Sequence, residues 1–172
     1  MLGWTATAPE GWSVVNAAAM PQGTPMFQGW TFHTRRAWSG GAQNRPHFTR
    51  GLGVVADPDD WDDTGAPAAK GRFDSTLVSP AVPVPAGTTT LRLDLDSHYR
   101  QEGNQKAEVR AVFDTGQEQV LLSYGPGSPD AENTAVSQEF PVPAGAGAVT
   151  LRFRMYDAGN NWYWAVDHIR LG

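Results

Sequence analysis

The chain contains no cysteine, so neither a disulfide framework nor a Cys-ligated zinc is open to it, and redox chemistry says nothing of its compartment. It has no basic excess either, since 13 Lys and Arg stand against 18 Asp and Glu, a net charge of -5. Without a positive footprint the chain is expected to bind no nucleic acid and no anionic membrane surface. No apolar run approaches the roughly 18 residues of a membrane span, and Met1-Leu2-Gly3-Trp4 lacks the basic and apolar regions of a signal peptide. The chain is therefore expected to be a piece of a longer protein. Lysine is scarce, two residues against eleven arginines in a sequence rich in Ala, Gly and Pro, a usage that points to a GC-rich bacterial source. Helical periodicity is missing as well, and Ala17–Met20 suits one helical turn at most.

What is present is enough for one core. At 172 residues and 40% hydrophobic content the chain reads as one globular domain spanning residues 1–172, expected to be monomeric. Its 19 glycines and 13 prolines are spread along the sequence, which suits many turns between short strands. Leu91, Leu93 and Leu95 alternate with Arg92, Asp94 and Asp96, as Val149, Leu151, Phe153 and Met155 do with Thr150, Arg152 and Arg154. Such period-two segments are half-buried antiparallel strands with one polar face. Each follows a copy of Pro-Val-Pro-Ala-Gly, at 83–87 and 141–145, whose prolines belong at strand edges or starts. Further strands are expected near Trp12–Val15, Trp30–Phe32, Gly53–Ala56, Ser75–Val78, Ala107–Phe113, Gln119–Tyr124 and Trp162–Leu171, with Asp114-Thr115-Gly116 turning a hairpin. Nine or ten strands without helices give an all-β fold, an antiparallel two-sheet β-sandwich of jelly-roll type.

The acids are not evenly spread. Asp57, Asp59, Asp60, Asp62 and Asp63 fall in one heptapeptide, and outside it acids and bases balance. Crowded carboxylates repel unless a cation or water separates them. Asp60-Trp61-Asp62-Asp63-Thr64-Gly65 resembles the start of an EF-hand loop, but the twelfth position is Gly71 rather than Glu. The reading is a calcium loop of another kind, with Asp57, Asp59, Asp60 and Asp62 as near ligands and Asp74 and Asp167 as distant ones. A solvated acidic turn is the alternative. Asp167 sits between apolar residues on the closing strand and needs a partner, because burying a lone carboxylate is costly.

Catalytic signatures are lacking: no Gly-x-Ser-x-Gly elbow, no His-Glu-x-x-His and no phosphate-cradling glycine loop. Asp96-Ser97-His98 matches only the opening of a binuclear phosphoesterase, and nothing in the spacing obliges Glu108 to pair with Asp114 or Glu118 as a glycosidase couple. The chain is expected not to be an enzyme. His98, Arg100, Glu102 and Asn104, with Arg152, Arg154 and Asp94, are candidates for the polar face of a sheet that hydrogen-bonds a sugar. A cross-strand ion-pair surface is the alternative. Candidate stacking rings are Trp38, Trp61, Tyr99, Tyr156, Trp162 and Trp164. Trp162 and Trp164 are expected on one strand face, either both in the core or both displayed, whereas Trp38 and Trp61 read as the better exposed rings.

Asp57-Pro58-Asp59-Asp60-Trp61-Asp62-Asp63, Phe73–Pro80, Asp96–Val109 and Tyr156–Leu171 together resemble the jelly-roll accessory domains of secreted bacterial hydrolases, metallophosphatases among them, and are similar in layout to MAM-like and choice-of-anchor adhesin domains. The resemblance implies a secreted, extracellular jelly roll that holds a structural calcium, adjoins a catalytic or adhesive neighbour, and in some members binds glycans. It also implies that Asp167 meets the acids from Asp57 onward at the metal. The disulfides of eukaryotic MAM domains are missing here.

Overall fold

In the computed structural model, which describes residues 3–34, 37–38, 52–64 and 71–172, the chain forms β1 (Trp4–Thr5), β2 (Ser13–Asn16), β3 (Thr31–Thr34), β4 (Leu52–Ala56), the short helix α1 (Pro58–Asp62), β5 (Phe73–Val78), β6 (Val82–Pro83), β7 (Thr90–Tyr99), β8 (Lys106–Phe113), β9 (Glu118–Tyr124), β10 (Ala131–Pro141), β11 (Ala148–Ala158) and β12 (Trp164–Leu171). All strand pairs are antiparallel. Sheet I runs β1-β3-β4-β12-β7-β10, and sheet II runs β2-β5-β11-β8-β9, with β6 paired to β11.

The alternation in the sequence explains the layering. Leu93, Leu95 and Tyr99 on β7 face Leu151, Phe153 and Met155 on β11, all buried, and each fully buried side chain of this size stabilises the fold by about 1.5–3 kcal/mol. Trp30 and Trp164 meet edge to face at 5.3 Å in the middle. Their ring N–H groups are satisfied inside: Trp164 donates to Ser97 Oγ at 3.0 Å and Trp30 to the Ser75 carbonyl at 3.1 Å. Tyr99 stacks on Tyr124 at 4.3 Å.

The Asp114-Thr115-Gly116 hairpin joins β8 to β9. Gly116 takes φ +85° there, and its N–H closes the turn on Phe113 at 2.9 Å. The two Pro-Val-Pro-Ala-Gly copies lie side by side: Val84 donates to the Gly147 carbonyl, and Val142 to that of Thr89, each at 2.9 Å. Ala17–Met20 is a turn closed by the Met20 N–H.

The heptapeptide expected to be a metal loop is instead the entry to α1. Asp57 is its N-cap, accepting from Asp60 N at 3.3 Å, and Pro58 follows at the first turn. Asp-Pro ahead of a helical turn is an ordinary start signal. The turn drives Trp61 inward against Phe73, at 5.7 Å and 81°.

Candidate functional site

Sheet II turns a long polar face outward because β5, β11 and β8 alternate in phase, with β9 joining them across a bulge. Inward go Leu77, Leu151, Phe153, Met155 and Val109; outward go Thr76, Val78, Arg152, Arg154, Glu108 and Arg110. Register sets the rows across the sheet. One reads Val15, Thr76, Arg154, Glu108 and Ser123, and the next Ser13, Val78, Arg152, Arg110 and Val120. All of these but Ser123 and Val120 line an open hollow of about 600 Å³ that also takes in Glu118.

Three guanidinium groups dominate this hollow. Arg154 is clamped through two nitrogens by Asp74, at 2.9 and 2.7 Å, and lies 4.2 Å over the Tyr156 ring. Arg110 is clamped in the same way by Glu108, at 2.7 and 3.2 Å. Hydrogen bonds to these carboxylates push both guanidinium pKa values further up, so both stay charged. Glu118 stands 3.6 Å from Arg110 and 3.9 Å from Arg152. Arg154 and Arg110 thus present forked donors held in fixed orientation, with Arg152 beside them. Hydroxyls of Ser13 and Thr76 and the exposed methyls of Val15 and Val120 flank it.

The sequence candidates divide over separate places. Arg152 and Arg154 lie on this face of sheet II. His98, Arg100, Glu102 and Asn104 belong to the end of β7 in sheet I and the loop after it, so they do not form one surface with the two arginines. His98 is fully buried, because the Asn133 N–H donates to its Nδ1 at 3.0 Å and the Tyr163 ring stacks on it at 5.6 Å. Burial pushes its imidazole down to about 4. Glu102 and Asn104 are exposed. Trp162 precedes β12 rather than sharing a strand face with Trp164, and Arg100 lies 3.9 Å over its ring. Trp164 is core.

Trp38 and Trp61, expected as exposed rings, are both 3% exposed. Trp38 meets Tyr163 edge-on at 4.9 Å, and Trp61 donates its ring N–H to the Pro21 carbonyl at 3.2 Å. Large rings near the end of a sandwich gain more from covering the core than from solvent.

The expected metal ligands do not converge. Asp57 caps α1, Asp59 and Asp60 ride its first turn, and both Asp74 oxygens are taken by Arg154. Asp167 sits at a bulge in β12, where its Oδ1 accepts from the His168 N–H at 2.8 Å. Its buried Oδ2 has no hydrogen bond and lies 3.8 Å from His168 Nδ1. Asp62 is buried with neither oxygen hydrogen-bonded, and burial, then Asp63 and Asp59, pushes its carboxyl up to about 6. Among the described residues no group of three or more His, Asp or Glu is placed to hold a metal ion. The six carboxylates expected to share a calcium are therefore not brought together among the described residues.

Glu108, Arg110, Glu118, Thr76 and Val78 complete the polar hollow and were not foreseen as binding residues. Their signal was the outward half of the same alternation that marked Arg152 and Arg154. What a single strand cannot show is which outward residues become neighbours, because register between distant strands sets it.

No family model matches the chain, and no curated protein matches it at a significant level. Among solved structures it is similar to the K1 and K3 cleaved adhesin domains of Lys-gingipain from Porphyromonas gingivalis. The TM-scores are 0.57 and 0.56 at 16% identity, and the matches cover 96% and 95% of this chain and 92% of each of those. The fold is a jelly roll. It is similar also to TmCBM61, solved in complex with β-1,4-galactotriose, with a TM-score of 0.56 at 14% identity over 95% of this chain and 88% of that one. At such identities the jelly-roll likeness speaks for architecture, and the site must be argued from this chain's own residues.

Proposed function

We propose that this chain is a non-catalytic, carbohydrate-binding accessory module of a secreted bacterial protein, a hydrolase or an adhesin, and that it contacts glycan through the outer face of sheet II. The observation that carries this reading is the gathering of Arg110, Arg152 and Arg154 in one open hollow, two of them clamped by carboxylates. A pyranose presents hydroxyls around its rim and C–H groups on its faces. Fixed guanidinium forks and hydroxyls answer the first, and Val15, Val78 and Val120 the second. Donors oriented before the ligand arrives lose little entropy on binding. The likeness to a module holding a galactotriose supports the same reading.

A second reading has its own observation. Val15 and Val120 are 55% and 50% exposed at opposite flanks of the hollow, which suits a neighbouring domain laid across the face.

A glycan array probed with the wild-type domain and with Arg154→Ala tests the first reading. The wild type is expected to retain a defined subset of glycans and the variant to lose them by about tenfold or more, since hydrogen bonds from a charged group contribute about 1.5–3 kcal/mol. An array with no retained glycan, together with binding to a flanking domain of the parent protein, overturns it in favour of the second.

A further inference from the structure

We infer that the glycan taken by this face carries carboxylates, that is, uronic acid residues, and that Arg152 is the group that reads them. The inference rests on the glycan-binding reading and deepens it.

The three arginines of the hollow are not equivalent. Arg154 and Arg110 each give two nitrogens to a carboxylate of the protein, Asp74 and Glu108. Arg152 reaches only Glu118, at 3.9 Å, beyond hydrogen-bond range. Its fork is therefore unspent among the described residues, on the central strand β11, with 48% of the side chain exposed. Its flanking partners in register are Val78 on one side and Arg110 on the other.

That second pairing is the telling one. Arg110 and Arg152 stand directly opposite each other across β8 and β11, and like charges in that position repel. Arg110 is already held by Glu108, and the remaining carboxylate, Glu118, stands 3.6 Å from Arg110 and 3.9 Å from Arg152. Of the three guanidiniums in the hollow, Arg152 is thus the one with no carboxylate within hydrogen-bond distance among the described residues. A planar carboxylate suits the planar fork in a two-pronged bond, and a neutral hydroxyl uses only part of it. With an overall charge of -5 the chain does not attract polyanions from a distance, so recognition comes from contact rather than from the field.

The test uses polygalacturonate, alginate and a polyglucuronate, each beside its methyl ester, which keeps the backbone and removes the charge, and neutral β-1,4-galactan, all run against the intact domain by affinity electrophoresis. At least one free acid is expected to bind about tenfold more tightly than its ester. Arg152→Gln is expected to erase that preference, while Arg92→Gln, an exposed arginine on sheet I, leaves it intact. Equal binding of acid and ester, binding of galactan alone, or an undiminished preference in Arg152→Gln overturns the inference and leaves glycan binding standing. Failure of every polysaccharide here and of every glycan on the array overturns both.

Discussion

Two buried ionisable side chains oppose each other in their effect on stability. Burial raises the Asp62 carboxyl from 3.8 to about 6, so the folded state binds its proton more tightly than the unfolded chain does. The resulting stability is present below the unfolded value and lost as pH rises through about 6, roughly 3 kcal/mol for a shift of this size. Burial lowers His98 from 6.5 to about 4, so its contribution is present above the unfolded value and lost as pH falls toward 4, again roughly 3 kcal/mol. The slopes cancel between those limits. Asp62→Asn is therefore expected to raise the melting midpoint above pH 6 and to uncover the His98 slope, with stability rising as pH goes from about 4 to 6.5. Thermal melts of both proteins across this range decide it. A lower midpoint for the variant at neutral pH, with added calcium raising the wild-type midpoint and not the variant's, would show that the Asp62 carboxylate is held charged by a cation. At the same scale, a methyl added at Gly23 collides with the Trp61 ring and the Phe27 carbonyl. Gly23→Ala is expected to cost about 1–3 kcal/mol in denaturant unfolding.

Among the elements, what the sequence disclosed depended on how strongly each strand alternates. β7 and β11 carry Leu, Phe and Met against charged residues, and the alternation marked their central stretches, Leu91–Asp96 and Val149–Met155, within strands that run further. β10, one of the two longest strands at 11 residues, was not foreseen. It is an edge strand of sheet I, mostly exposed, with Phe140 its single buried residue, so no apolar period marks Glu132-Asn133-Thr134 or Ser137-Gln138-Glu139. β1 and β6 are two-residue pairings that depend on their partners rather than on local pattern. The helix α1 was unforeseen for a different reason: five acids drew attention to charge, while Asp57-Pro58 was already a helix-start signal. Asp57→Ala removes the cap and is expected to cost about 0.5–2 kcal/mol. Because α1 seats Trp61, loss of the Trp61 fluorescence signature with unfolding should follow the same transition, and a separate early transition there would contradict this coupling.

For the whole molecule, the forces that hold the sandwich and those that equip its surface are separable. The core of aromatic and branched residues between the sheets supplies the stability, whereas a partly exposed ion pair such as Arg154 with Asp74 contributes about 0–1 kcal/mol. Arg152→Gln and Arg154→Ala are accordingly expected to shift the melting midpoint by no more than about 2–4 °C while the first erases the preference for free acids and the second weakens glycan binding. The two-sheet architecture was legible from period and turns. The site was legible only in part, through Arg152 and Arg154, because the remaining members of the hollow come from strands brought alongside by register. His98, Trp38 and Trp61 carry side chains that suit a binding site, but the fold turns them inward, where they pack and hydrogen-bond instead.

The most direct measurement is chemical-shift mapping of the isotope-labelled domain with a soluble oligosaccharide chosen from the array. The expected perturbations fall on the outward residues of β2, β5, β11, β8 and β9, centred on Thr76, Arg110, Arg152 and Arg154. Shifts gathered instead around Arg100, Glu102 and Trp162, with sheet II silent, would contradict the placement of the binding face.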